Sequence, residues 1–251
     1  MSFPRAVERA KSYLNVHIGR PDAVAAGIHT RAHEPFITIS RECGTGGTAF
    51  AQHLADRLNL DRRDEEPAWT VFDQHIVEHV LRDAQLSPRL ARFLPEDRIP
   101  EITGAVGEIV GLHPNLWELV QKTNKFVRAL AGGGHVILVG RGANFATAGL
   151  GGGLHIRLVA PEDERVRRMA QRESIDMTTA RALVRKTASA RAHYVRSVFE
   201  RNIGESAAYD LILNVARLPE AACIDMIEGA LKMIPASVTA GAPIPARSDS
   251  T

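Results

Sequence analysis

"ITISRECGTGGTAFAQHLADRL", residues 37–58, is the stretch on which the fold turns. The β-branched alternation from Phe36 to Ser40 reads as a strand and Arg41 to Gly47 as a turn. Thr48 to Asn59 reads as a helix, with Phe50, Ala51, Leu54, Ala55 and Leu58 at helical spacing. Gly44, Thr45, Gly46 and Gly47 can turn their backbone N–H groups inward, because glycine reaches positive φ, and the following helix adds the positive end of its dipole. A loop of that kind cradles phosphate. The full G-x-x-x-x-G-K-[ST] pattern is not met: Gly47 stands where the lysine is expected, and Ala49 is read as standing where the magnesium-holding hydroxyl is expected. From this stretch alone, a nucleotide site without its lysine and a plain strand, turn and helix are both open.

Outward from it, Thr70 to Phe72 is a short strand ending at Asp73, and Ile76 to Leu81 begins a helix. "HVILVG" (135–140), "LHIRLVA" (154–160) and "YDLILNV" (209–215) are runs of strand length, the first of them apolar enough to be buried on both faces. Pro161 followed by Glu162, Asp163 and Glu164 marks a helix start, with acids placed against its dipole. Pro219 to Met233 reads as a closing helix. Alternating strands and helices imply a parallel sheet with right-handed crossovers in a three-layer α/β fold, whose ligands bind at the carboxyl ends of the strands. Ser40, Asp73, Gly140 and Ala160 stand at those ends.

Residues 1–34 read as an N-terminal appendage with a helix from Phe3 to about Val16, free to pack on the core or on a second subunit, so that a homo-oligomer stays open. Residues 35–235 read as one α/β domain, with a helical insertion over residues 76–131 punctuated by Pro88, Pro95, Pro100 and Pro114, and a lid over residues 161–205. Residues 236–251 read as a disordered tail of small residues and proline.

The formal net charge of +2 on 251 residues speaks against a nucleic-acid partner for the molecule as a whole. Residues 157–201 nevertheless hold eleven Arg or Lys against six Asp or Glu, so the arginines cluster. Cys43 and Cys223 are far apart, the N-terminus lacks an apolar signal region, and no run approaches the roughly 18 apolar residues of a membrane span. The expectation is a cytoplasmic protein without a membrane partner.

In order and spacing, "ITISRECGTGG", "VFDQHIVEHV", "VILVGRGANF", "LVAPEDERVRRM", "ARALVRKTASARAHYVRSVF" and "YDLILNVARL" resemble the cytidylate kinase-like family, a divergent branch of the P-loop nucleoside monophosphate kinases, over residues 36–233. The resemblance implies the three-layer P-loop NTPase fold of those kinases, with ATP and Mg2+ as cofactors and transfer of the γ-phosphoryl group to a nucleoside monophosphate, CMP or dCMP. It makes the absent lysine a family trait. It implies that the backbone of Gly44, Thr45, Gly46, Gly47 and Thr48 holds the donor phosphates and that Arg141, in "GRGANF", engages the acceptor phosphate. It gives Arg168, Lys186 and Arg191 the task of neutralising the transferred group from a lid, with Arg165 and Arg185 as alternatives in register. Asp73 matches the family's aspartate after the second strand, to hold magnesium-bound water or the nucleoside; a helix N-cap is the competing role. Gly142 replaces the aspartate of the ordinary "GRD" motif, Ala188 an acid and Thr48 an arginine, departures that bear on base preference and activity.

Two rival motifs carry less. "HIVEH" (His75, Glu78, His79) satisfies H-x-x-E-H, the zinc spacing of inverted zinc proteases, but lacks an evident further ligand. Cys43 beside the glycine loop has no indicated His or Asp partner and reads as a small filler. The alternative function is a nucleotide-binding regulatory protein with weak or no kinase activity, since losing the lysine removes a phosphate contact.

Overall fold

The computed structural model describes residues 3–17, 34–60, 62, 67–77, 114–140 and 142–234. Strands β1 (Phe36–Arg41), β2 (Thr70–Asp73), β3 (Val136–Val139), β4 (Gly153–Val159) and β5 (Leu211–Asn214) form one sheet in the order β2-β3-β1-β4-β5, every neighbouring pair parallel. The strand runs seen in the sequence are these, within one or two residues at each end.

Parallel strands require crossovers, and the helices that make them cover both faces of the sheet. On one face α2 (Gly47–Leu60) and α7 (Glu220–Leu231) bury Phe50, Leu54, Cys223 and Ile227 against Ile37, Ile39, Ile137 and Ile156. On the other, α1 (Phe3–His17), α3 (Pro114–Gly133) and the single turn α4 (Ala143–Ala146) bury Leu14, Phe126, Leu130 and Ala146 against Phe36, Phe72 and Leu138. The alternation of β1 decides this division: Phe36 faces one layer, Ile37 and Ile39 the other.

The N-terminal helix is therefore part of the core. Tyr13 meets Phe72 edge to face, with ring centroids 5.6 Å apart, and its hydroxyl donates to the Gly134 carbonyl at 2.6 Å. Of the segment expected to be a helical insertion, residues 114–131 lie in α3 and residues 78–113 fall outside the described residues, as does the tail beyond residue 234. The segment expected to be a lid holds a hairpin of α5 (Glu162–Glu173) and α6 (Met177–Phe199). Ser174 turns left-handed at φ 56°, and Asp176 caps α6 by accepting from the N–H groups of Thr178 and Thr179. Among the described residues no helix is long and apolar enough to cross a membrane.

Candidate active site

The register of the strands brings Arg41, Asp73 and Val159 to one edge of the sheet. Beyond Arg41 the chain turns through residues 42–46 into α2. Gly44 at φ 91° and Gly46 at φ 76° make that turn in a region closed to most side chains. The first helical hydrogen bond runs from Phe50 N–H to the Gly46 carbonyl, 3.0 Å, so the amides of Gly47, Thr48 and Ala49 have no acceptor within the helix. No acid sits in this first turn. A helix start of this kind offers N–H donors and a positive dipole end to an anion. Thr45 differs from expectation: its N–H and its hydroxyl both turn to the Glu42 carbonyl, at 3.4 and 2.9 Å, so it closes the loop from within. Counting from Gly46, with Gly47 in the lysine position, the hydroxyl position belongs to Thr48, exposed in the first turn, and not to Ala49.

Beneath the loop lies a polar base built around Glu42. Its carboxylate accepts from the Ala160 N–H at 3.1 Å and pairs with Arg165 Nε at 3.2 Å. Arg165 also donates to the carbonyls of Ala160 (2.9 Å) and Cys43 (3.3 Å). Arg157 donates to Ser40 Oγ and Tyr209 OH, at 3.2 and 3.3 Å, and Tyr209 donates to the Ile203 carbonyl at 2.8 Å. A guanidinium on an otherwise apolar strand is stable only with such partners.

At the ends of β1 and β3 opens a cleft lined by Ser40, Arg41, Gln74, Gly140, Gly142, Asn144, Arg191, Tyr194 and Ile203 among others. Arg191 reaches it from α6 and donates from Nη1 to the Arg41 carbonyl at 2.9 Å, tying the lid hairpin to the end of β1. Burial pushes the Arg191 guanidinium down from the usual arginine range, with nearby Cys43 opposing the shift. Asn144 is anchored by its Nδ2 on the Ala208 carbonyl, 3.3 Å. A Cβ at Gly142, where φ is 61°, would run into the Phe199 ring.

The expected site residues divide. Arg191 and Gly140 line the cleft, whereas the loop glycines do not; Arg141, between two cleft-lining glycines, lies outside the described residues. Arg168 turns to Glu164 at 2.7 Å and to the Val215 carbonyl at 3.1 Å and does not line the cleft. Lys186 is exposed on α6. Arg165 is the buried clamp under the loop, and Arg185 binds Glu162 at 2.9 Å. Asp73 Oδ1 accepts from Ile76 N–H at 2.9 Å, the N-cap role. Of the zinc motif, His75 is exposed, and Glu78 and His79 fall outside the described residues. Cys43 packs among Val166, Met169, Ala180 and Val184. Sequence inspection missed Glu42, Arg157, Tyr209, Gln74 and Asn144. Only Arg157 left a signal, as a charge inside an apolar strand.

The profile of the cytidylate kinase-like family matches residues 36–217. A cytidylate kinase from Methanothermobacter thermautotrophicus is 30% identical over 182 residues, which covers 72% of this chain and 95% of the relative. A crystal structure of an uncharacterized protein from Eubacterium ventriosum superposes with a TM-score of 0.59 at 20% identity, covering 80% of this chain and 99% of that one, a likeness of fold. With a parallel sheet, a glycine loop opening α2 and an arginine-bearing hairpin in the order that the profile spans, the chain belongs to the cytidylate kinase-like family.

Proposed function

We propose that the protein transfers the γ-phosphoryl group of ATP to a nucleoside monophosphate, with CMP or dCMP as the acceptor. The observation that supports this best is the pairing of an anion-binding helix start with a cleft holding Arg41 and Arg191 at the same edge of the sheet. The amides of Gly46, Gly47 and Thr48 face the donor phosphates. Arg141 holds the acceptor phosphate, and Arg191 meets the charge that spreads over the transferred oxygens. A phosphate oxygen of the acceptor attacks the γ-phosphorus, the bond from that phosphorus to the β–γ bridging oxygen breaks, and ADP leaves with a nucleoside diphosphate.

Mg2+ binds chiefly through phosphate oxygens and water, so it needs few protein ligands, and the Thr48 hydroxyl and the Asp73 carboxylate are the oxygen donors suited to it. When bound, it neutralises phosphate charge. Arg168 and Lys186 can join only through a movement of the hairpin, since neither lines the cleft.

Coupled ADP release with ATP, Mg2+ and a panel of nucleoside monophosphates tests the proposal, with calorimetric binding of each nucleotide in parallel. Turnover confined to CMP or dCMP is expected. The glycine at the lysine position favours one rival, a nucleotide sensor, and binding without turnover would establish it.

A further inference from the structure

We infer that Arg41 replaces the missing loop lysine, its guanidinium holding the β- and γ-phosphoryl oxygens of the donor, and that residue 47 is glycine because the Arg41 stem lies across it, while Gly140, glycine already for its φ of 84°, leaves room for the Arg41 head. The inference rests on the phosphoryl-transfer proposal.

Gly47 opens a helix and has no left-handed φ, so its backbone conformation does not call for glycine. Space does. A Cβ at Gly47 would stand 2.8 Å from Arg41 Cγ and 3.0 Å from its Cβ, closer than carbon atoms approach. At Gly140 a Cβ would collide with Arg41 Nη1 and stand 2.8 Å from Cζ. The side chain therefore starts at the end of β1, passes over the backbone of the lysine position and ends over the last turn of β3, beside residue 141. Its head is on the cleft wall, between the donor loop and the strand end expected to meet the acceptor. A lysine at position 47 would have to project through the volume that the Arg41 stem fills.

The chemistry suits the exchange. A lysine ammonium is a compact charge, whereas guanidinium is planar, stays charged and grips two phosphate oxygens at once. Arg191, donating to the Arg41 carbonyl, fixes the backbone from which this side chain springs.

The test is a set of variants assayed for kcat and for KM of both substrates, with melting curves to verify folding. R41M is expected to lower kcat about 10²–10³-fold while acceptor KM stays within about twofold. G47A, which displaces the arginine stem, is expected to cost about tenfold or more in the parent but nothing further in R41M, because the two changes act through one side chain. R41A/G47K, in which the stem beyond Cβ is gone, should recover at least about tenfold over R41A. If R41M does not fold, R41K decides, with a drop in kcat at steady acceptor KM expected. Turnover within about threefold of the parent, or additive losses from R41M and G47A, would overturn the inference and leave the proposed reaction standing. If the parent turns over no monophosphate, that reaction is wrong and binding decides for Arg41. R41M should then weaken ATP about tenfold and leave AMP unchanged, and an equal loss for both, or a parent that binds neither, overturns the inference.

Discussion

Arg165 shows what a residue count leaves out. It belongs to the arginine cluster of residues 157–201, yet its side chain is buried and spent on Glu42, Ala160 and Cys43, holding the glycine loop from below. A Cβ at Gly44 would strike the Arg165 carbonyl, so loop and clamp are in van der Waals contact along the backbone as well. Charge totals are legible in sequence, whereas the partner of a charge depends on which turn of which helix passes beneath the loop. R165M keeps most of the volume, removes the nearest cation from the Glu42 carboxylate, which keeps the Ala160 N–H and Arg157 at 4.0 Å, and leaves the Cys43 carbonyl without this donor. With the Glu42 side chain 28% exposed, part of the penalty is relieved by water, and a loss of about 2–4 kcal/mol is expected in urea unfolding. Nucleotide binding should fall with it, since the loop loses its support. A variant as stable as the parent would show that the clamp is not one.

Among the elements, the strands were the most legible, because β-branched runs bounded by glycine and proline leave few other readings. Of the hairpin, the sequence shows a helix start at Pro161 and not the break before α6, and the resemblance casts its arginines as transition-state donors. Glu162 binds Arg181 and Arg185 across the hairpin, Asp163 binds Arg181, and Glu164 binds Arg167 and Arg168 within α5. Those acids serve as much to hold the hairpin as to meet its dipole. Hydrogen bonds from Arg167 and then Arg168 pull the Glu164 carboxyl down to about 2, and Arg185 with Arg181 lowers that of Glu162. A carboxyl depressed by folding stabilises above its unfolded value of about 4.3, and that contribution fades as pH falls toward the folded value. The melting temperature of the parent should thus exceed that of E162Q/E164Q at neutral pH, the gap closing between about pH 4.5 and pH 2. A gap that persists unchanged at low pH would rule out the ion pairs as its source. The packing of α1 was not legible, since an amphipathic stripe does not name the surface it covers. Y13F removes the hydroxyl from the Gly134 carbonyl and should cost about 1 kcal/mol of global stability by the same unfolding measurement.

At the scale of the whole molecule, the position of the site was readable before its walls were. Ligands of doubly wound sheets bind at the carboxyl ends of the strands, and the cleft is there; but Gln74, Asn144, Tyr194 and Ile203 meet only because three separate connections return to one edge. The ends of β1 and β3 and the helix α6 line that cleft, so a ligand bound there would crosslink parts of the chain that the sheet alone joins. Any ligand that binds only the folded state adds RT ln(1 + [L]/Kd), about 2.7 kcal/mol at a hundredfold excess over Kd. For a chain of 251 residues, each kcal/mol raises the melting temperature by about 2–4 °C, so saturating non-hydrolysable ATP with Mg2+ should raise it by about 5–10 °C. Because Arg191 ties the hairpin to the end of β1, R191M should lose a large share of that ligand-induced rise. K186M, altering a residue exposed on the outside of the same helix, should keep it in scanning calorimetry. Equal loss in the two variants would mean that the hairpin meets the nucleotide through a different face from the one that lines the cleft.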